Sequence, residues 1–554
     1  MHMEHLPPLS TTIIVSKVQI QFLPLNSSKM RFIILIVFCS LVNFGSTANI
    51  LFYFVVSGYS HRIGVWPIIQ RLAESGHNVT FLSPYPNKNQ VAQSHHVNIT
   101  DYVPHNLAKD IGIMDIDKIG LRLREGVAGI ENMWSHVDQL AIRSCEALMK
   151  KPEFQTWVET SSFDLIVSNT MYNECGYGLV HKFGAKHIAY SSTTHMMWFK
   201  DAYAYPDENL PEIQTQYAKD MTFFQSLRNE LVSLSWQWWR YRSTFPKIEA
   251  ILRDRLELDD LPPIDVIERN TSLIFTNTHP SEEYARSLPP NFIGIGGTHC
   301  SDERKPLPED LESFITNSST KGFILLSFGT YADLSSLPKY LQNYFFNAMS
   351  KVPDMKFIVK FNAKPPYGLA SNIKTVNWIP QQDLIAHPKI KAFIGHGGVL
   401  GTQEAIYHAV PMIVIPFFSD QDYQAARAHQ RETAIALEIR ELTEEKLLTA
   451  ILQVLNNPKY KENTARISKF FRDRPSPPVE SAVWWIEYVL RHDACCSHLR
   501  PIGLQRTWYE RRMLDIWGFI AFCGITIFAI LVFAIYHLFS GVLNLLICSK
   551  IKLD

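Results

Sequence analysis

No sign of charge dominates this chain: Lys plus Arg and Asp plus Glu each number 53 in 554 residues, for a net charge of zero. Without a basic excess, and without a zinc-finger or basic-helix motif, the sequence has no electrostatic footprint for nucleic acid. Cysteine is scarce: eight residues at scattered spacings exclude a disulfide scaffold and a zinc site. Cys145, Cys175, Cys300, Cys495 and Cys496 fall in the body of the chain, which leaves room for a single, unassigned bridge. No short internal repeat is visible. A composition of 46% hydrophobic and 19% charged residues excludes a disordered chain. The length exceeds what one core organises, since domains of roughly 100–200 residues are usual, so two large domains are expected.

The ends carry addresses. Lys29 and Arg31 precede an apolar run from Phe32 to Val42, and Ser46 and Ala48 sit at the spacing a signal peptidase accepts. Residues 1–48 therefore read as an upstream extension and signal peptide cleaved after Ala48, with Met30 as a candidate start. Near the other end, Ile516 to Tyr536 contains no charge. As a helix it is about 31 Å long, enough for a bilayer core of about 30 Å. The expected order is a juxtamembrane segment at 491–515, a transmembrane helix at 516–540 and a cytosolic tail at 541–554. A signal peptide plus a stop-transfer helix puts the body in the lumen. Lys550 and Lys552, fifth and third from the carboxyl end, resemble the dilysine signal of endoplasmic-reticulum membrane proteins. Asn98, Asn270 and Asn317 head glycosylation sequons. Asn78 does too, but it stands where a buried strand is expected to start.

The body reads as α/β. Asn49–Val56 is an apolar strand; Ile63, Ile68, Ile69 and Leu72 follow at helical spacing, and Val79–Leu82 is the next strand. That is a β-α-β unit, which a parallel sheet requires. Further short apolar runs occur at 165–167, 187–189, 273–276 and 292–295. A second series occurs at 323–327, 357–359, 373–376, 392–394 and 412–415. Runs without polar alternation suit strands covered on both faces. The expected division is a first domain at 49–287, a Pro/Gly-rich linker at 288–308 and a second domain at 309–490. Two doubly wound domains facing one another leave a cleft at the carboxyl ends of their strands. The stretch Thr193–Tyr241, rich in Met, Phe and Trp, reads equally as core-packing helices or as an apolar surface, either an acceptor channel or a face resting on a membrane.

The strongest chemical signal is Phe393-Ile-Gly-His-Gly-Gly-Val-Leu-Gly-Thr-Gln-Glu404. A strand ends at Ile394, small residues admit close backbone approach, and a helix begins near Gly401. A helix N-terminus favours an anion, and His396 can donate to phosphate. Pro411-Met-Ile-Val-Ile-Pro416 and then Asp420-Gln421 follow. Taken together, residues 393–421 resemble the signature of the UDP-glycosyltransferase family, the group that includes the UDP-glucuronosyltransferases. The resemblance runs from about 49 to 540 and extends to the Trp378-Ile-Pro-Gln381 and Ser327-Phe-Gly-Thr330 motifs.

What the resemblance implies is specific. The fold would be GT-B, two Rossmann-like domains facing a cleft, with the nucleotide sugar on the second. Trp378 would stack on uracil and Gln381 hydrogen-bond it. Ser327, Gly329 and Thr330 would lie near the diphosphate, with His396 and Gly398 holding it. Glu404 would take the ribose, and Asp420 and Gln421 the sugar hydroxyls. His61, matching the family's Ser-His after the first strand, would be the general base; histidine's pKa suits that task. No metal and no cofactor is implied, the UDP-sugar being a co-substrate. The acceptor would be a small lipophilic hydroxyl compound, and a homo-oligomer is compatible with the family.

One departure bears on mechanism. Vertebrate members carry Phe-Asp-x-x-x-x-Asp, whose last carboxylate orients the base; here the stretch is Phe163-Asp-Leu-Ile-Val-Ser-Asn169. Asn169 can orient an imidazole but cannot stabilise its cation by charge. Glu174, five residues on, is the substitute carboxylate this reading offers. Leu400, Gln424 and Gly395 also depart from common choices, and the Val399-Leu-Gly-Thr-Gln-Glu404 variant resembles arthropod members, which implies glucose as the donated sugar. The alternative reading is a degenerate member that binds UDP-sugar or lipid without turnover.

Overall fold

The computed structural model describes residues 47–554, except 88–97, 113–116, 207, 214, 216, 317–319, 331, 493–495 and 552–554. The expected signal peptide, Met30, the Asn317 sequon, Cys495 and Lys552 fall outside the described residues. Seven parallel strands form the first sheet: β1 (Asn49–Tyr53), β2 (Asn78–Leu82), β3 (Ile99–Tyr102), β4 (Leu165–Asn169), β5 (Lys186–Ser191), β6 (Leu273–Thr276) and β7 (Phe292–Gly294). Six parallel strands form the second: β8 (Phe323–Ser327), β9 (Lys356–Lys360), β10 (Ile373–Val376), β11 (Ile390–Gly395), β12 (Met412–Val414) and β13 (Ala434–Ala436). The orders are β3-β2-β1-β4-β5-β6-β7 and β10-β9-β8-β11-β12-β13. Both reverse direction once, between β1 and β4 and between β8 and β11, and open α/β sheets bind ligands at such switch points.

Each sheet is buried on both faces. In the first, Ile50, Phe52 and Phe54 pack into one core while Leu51, Tyr53 and Val55 pack into another. In the second, Ile324 and Leu326 face one core and Phe323 and Leu325 the other. This is why the strands read as unbroken apolar runs. The edge strands β3 and β13 escape that signal: Ile-Thr-Asp-Tyr is half polar and half exposed, and Ala-Ile-Ala is too short. Asn78 does begin a strand, but its side chain is exposed and donates to Asn49 Oδ1 at 3.0 Å, so the burial expected there is not found.

Helix α1 (Tyr59–Glu74) makes the crossover from β1 to β2, burying Val65, Ile68, Ile69 and Leu72. Helix α2 (Lys118–Met149) is broken at Gly126, whose φ of 67° lies in the left-handed region. Its far end is joined to the segment after β4 by a disulfide between Cys145 and Cys175. Helix α3 (Phe223–Trp239) lies within the aromatic stretch, which divides: Met196, Met197, Trp198 and Phe199 are core, whereas Phe223, Phe224 and Trp238 are exposed. Helices α4 (Val399–Tyr407) and α5 (Gln421–Gln430) follow β11 and β12.

One helix of the stretch expected as the second domain, 309–490, packs away from the second sheet. Helix α6 (Pro478–Arg491) returns to the first sheet, where Ala482, Val483, Ile486 and Val489 join the core of Ile50, Phe52, Ile68 and Leu72. Arg71 on α1 pairs with Glu480 at 2.8 Å. Apolar spacing marks α6 as a helix but is silent on which sheet receives it. The chain closes with α7 (Leu514–Ile551), of which Leu514–Leu546 is long and apolar enough to cross a membrane and is fully exposed. If α6 belongs to the first core, Ile486→Ala should destabilise the first domain by about 2–5 kcal/mol, as deletion of a fully buried side chain does. Chemical denaturation read by exchange of the β1–β2 amides checks this.

Candidate active site

A cavity of about 840 Å³ opens at the carboxyl ends of both sheets. Its first-domain wall comes from the β1–α1 turn (Ser57, Gly58, Ser60, His61) and from Ser192 and Thr193 after β5. Its second-domain wall holds Ser327, Gly329, Thr330, Trp378, Gln381, His396, Gly398, Glu404, Asp420 and Gln421. Residues spread over more than 350 positions meet here because each follows the end of a parallel strand or opens a helix. Asn169 and Glu174 are not on the cavity surface.

His61 sits in the first turn of α1. Its Nδ1 lies 2.9 Å from Asn169 Nδ2 and 3.3 Å from Ser192 Oγ. Asn169 ends β4, the strand beside β1, which is how a residue 108 positions away reaches the imidazole. Its Oδ1 accepts the Met171 N–H at 3.2 Å. With Nδ2 toward the ring, Nδ1 accepts and the ring proton sits on Nε2. Turning the amide, or accepting at Ser192 Oγ, places the proton on Nδ1 and leaves Nε2 basic. Burial, with Lys118 adding to it, pushes the His61 pKa down to about 4. The imidazole is therefore neutral above about pH 5, the form a base requires.

Glu174 does not occupy the position beside His61. Its Oε1 is taken by Arg240 at 3.1 Å, and Arg240 also binds Glu268 at 2.8 Å, all three groups being buried. The chain turns after Asn169 and carries Glu174 away from the ring. The substitute-carboxylate reading is corrected accordingly: the neighbours of the imidazole are an amide and a hydroxyl.

On the opposite wall, β11 ends at Gly395 and α4 starts after Gly398, so the unpaired amides of its first turn face the cavity mouth. His396 lies between two backbone turns. A Cβ on Gly398 would sit 2.4 Å from its Nε2, and one on Gly329 2.8 Å from its Cε1, with Gly329 also at φ +77°. A side chain at either place would displace the His396 ring, and at Gly329 it would also strain the backbone. His396 Nδ1 and Asp420 Oδ2 are buried without a hydrogen-bond partner among the described residues. An unmet buried polar atom costs about 1–3 kcal/mol, which a polar ligand would relieve. Burial pushes the Asp420 carboxyl up to about 6 and Glu404 up to about 7. Gln381 Nε2 donates to Glu404 Oε2 at 2.7 Å, linking the two motifs. Gln421 Oε1 accepts from the backbone of Phe417 and Phe418 at 2.8 and 3.2 Å, so only its amide nitrogen is left for a ligand. Trp378 is 55% exposed at the rim, a flat surface open to stacking.

Three basic residues escaped the sequence reading. Lys360, at the end of β9, is buried, lines the cavity and donates to the Gly329 carbonyl. Lys118, on the first turn of α2, places its ammonium 4.7 Å from the Phe418 ring and also lines the cavity. Burial pushes its pKa down to about 8. Arg122, one turn on, donates to both oxygens of Asp422 at 2.8 Å and to Glu438. A lysine and an arginine in an ordinary helix carry no local signature; only the crossing of α2 into the second domain reveals them.

Comparison with known proteins gives one picture. Residues 51–546 match the family described as UDP-glucoronosyl and UDP-glucosyl transferase. The chain is 29% identical to UDP-glycosyltransferase UGT5 of Dactylopius coccus over 506 residues, covering 90% of this chain and 94% of that protein. It is 29% identical to UDP-glucuronosyltransferase 2B15 of Homo sapiens over 495 residues, covering 85% and 90%. Among solved structures, the calicheamicin glycosyltransferase CalG4 superposes with a TM-score of 0.57 at 16% identity, covering 81% of this chain and 100% of that one. The glycotransferase of kitacinnamycin does so with a TM-score of 0.54 at 16% identity, covering 80% and 99%. At such identities the solved structures speak for the fold alone.

Asn169→Asp puts a carboxylate against Nδ1 and favours the imidazolium. The His61 pKa should then rise from about 4 by one to three units. The pH dependence of His61 modification by diethyl pyrocarbonate, followed by mass spectrometry, checks the shift.

Proposed function

This chain belongs to the UDP-glucoronosyl and UDP-glucosyl transferase family, and from that premise we propose that its cavity transfers a hexose from UDP to a hydroxyl of a small lipophilic acceptor with inversion at the anomeric carbon. It is a glycosyltransferase enzyme of GT-B fold, moving sugar from a UDP-sugar to an acceptor. One observation carries the finer reading. A neutral histidine stands on the first-domain wall, across the cavity from a helix N-terminus and from His396, whose Nδ1 is buried, on the second.

In the proposed reaction, Trp378 stacks on uracil, Gln381 binds its edge and Glu404 accepts from the ribose. The diphosphate lies on the first-turn amides of α4, with His396, Gly398 and the Ser327–Thr330 turn around it. Lys360 supplies positive charge there. Asp420 and the Gln421 amide hold the sugar hydroxyls. His61 Nε2 takes the acceptor proton as the oxygen attacks opposite the departing UDP, and Asn169 or Ser192 keeps the proton on Nδ1. The helix dipole and cationic side chains take up the leaving-group charge, so the reading needs no resident metal or cofactor. The acceptor would lie along Val56, Leu140, Met171 and Tyr172, the apolar part of the first-domain wall. Relatives named for glucosyl and for glucuronosyl transfer bring both UDP-glucose and UDP-glucuronate to this chain as donors.

The proposed setting is the endoplasmic-reticulum membrane, with the body lumenal and α7 as its single span. A disulfide between buried Cys145 and Cys175 suits an oxidising lumen.

Membranes expressing the protein, given labelled UDP-glucose or UDP-glucuronate and a panel of phenols, should yield β-linked products from the α-linked donor. His61→Ala should lower turnover by about 10²–10⁴-fold with UDP binding retained. Full activity in that variant would remove His61 from the role of base. Arg122→Gln leaves Asp422 and Glu438 without their buried partner, at a cost of about 3–5 kcal/mol to the junction. Because Asp422 adjoins Asp420-Gln421, the KM for the UDP-sugar should rise more than kcat falls; steady-state kinetics check it.

A further inference from the structure

Helix α3 is amphipathic the wrong way round for a helix on a water-soluble body. Phe223, Phe224, Leu227, Leu231, Leu234 and Trp238 are all exposed, from 39% to 77%. At about 100° per residue they fall within a single arc of about 100°. The opposite face is buried, and three of its four buried residues, Asn229, Ser233 and Gln237, are polar; the fourth, Trp236, joins the first-domain core. Asn229 accepts the Glu212 N–H at 2.8 Å and donates to the Leu210 carbonyl at 3.0 Å, and Ser233 donates to the Met197 carbonyl at 3.2 Å. The helix is held in this orientation by those bonds and by a capping box between Thr222 and Gln225. An outward arc of six large apolar side chains marks a surface that something apolar covers.

The chain itself brings the cover. Three residues before α7, Arg511 pairs with Asp201 at 3.2 Å and donates to its carbonyl at 2.9 Å. Arg512 pairs with Asp201 at 3.4 Å and with Glu230, in the middle of α3, at 3.8 Å. The start of the membrane-competent helix is thus tied to α3. Trp508 and Tyr509, aromatic types that settle at the headgroup level, are exposed beside it. The face is separate from the cavity, whose lining includes no α3 residue.

We infer that the outward face of α3 lies in the interfacial layer of the bilayer that α7 crosses, so that lipid covers Phe224, Leu227, Leu231 and Trp238. The body then rests on the membrane at two points, with the Arg511–Asp201 and Arg512–Glu230 pairs as the rigid link between them. This rests on the reading of α7 as a membrane span. It gives the aromatic stretch its role: the exposed part is a lipid contact, not an acceptor channel.

The test places p-benzoylphenylalanine at position 231, 528 or 340 of the full chain in phosphatidylcholine nanodiscs, followed by irradiation and mass spectrometry. Position 528 lies in α7, and Tyr340 is an exposed residue of the second domain. Lipid adducts are expected at 231 and 528, each at least tenfold above the yield at 340. An adduct at 528 with none at 231 overturns the proposal and leaves the span intact. A protein–protein crosslink from 231 overturns it in favour of a second copy covering the face. Absence of an adduct at 528 removes the span itself, and the proposal with it.

Discussion

Arg122 ties the two halves of the molecule together. A guanidinium stays charged at any physiological pH, so once buried it must be paired or the junction fails. Arg122 is 1% exposed and finds its partners, Asp422 and Glu438, on the far domain. That requirement makes the first two turns of α2 leave their own sheet and cross the cleft. The break at Gly126 allows it, and Ile119 and Leu123 pack on the second core as a result. Lys118, one turn earlier, is thereby carried over Phe418 into the cavity, beside the loop that bears Asp420. The buried pairs of Arg122 therefore join the two domains on this side of the cleft, beside the Arg427–Glu283 pair, and shape the site between them.

Desolvation does most of the electrostatic work inside that site. It drives His61 and His396 down to about 4 and Glu404 and Asp420 up to about 7 and 6, so near pH 7 both imidazoles are neutral and Glu404 is partly protonated, while Asp420 stays mostly ionised. Positive charge comes instead from lysines at the margins and from the amides opening α4. A diphosphate entering such a place meets oriented donors that water cannot screen, and charge building on the leaving group is met without reorganisation. The neutral amide of Asn169 belongs to the same scheme. It orients the ring without raising its pKa, whereas a carboxylate in that place would hold more of the imidazole protonated.

The membrane side of the molecule follows a separate logic. The first-domain core absorbs part of the aromatic stretch, and α3 turns the remainder outward beside the start of α7. A cavity lined in part by Val56, Leu140, Met171 and Tyr172 suits an apolar acceptor, the class the proposed reaction takes.

Much of this was legible in the chain alone. Unbroken apolar runs announced eleven of the thirteen strands, because strands covered on both faces lose their polar alternation; β3 and β13, at the edges, kept no such signal. The Gly-His-Gly-Gly turn, the Trp378 motif and Asp420-Gln421 were readable because close backbone approach and helix opening demand particular residues at fixed spacing. What spacing could not carry was the third dimension. Glu174 was a reasonable partner for His61 by proximity in sequence, but Arg240, 66 positions on, claims it. Lys118, Arg122, Lys360 and Ser192 sit in segments with no motif, and only packing brings them to the cleft. The sequence by itself determined the two sheets, the Gly-His-Gly-Gly turn and the apolar carboxyl-terminal helix, since each depends on neighbours within one turn or strand. The tertiary structure alone decided which groups surround His61, which sheet receives α6 and which face of α3 turns outward, because those outcomes depend on packing and on pairing buried polar groups across hundreds of residues.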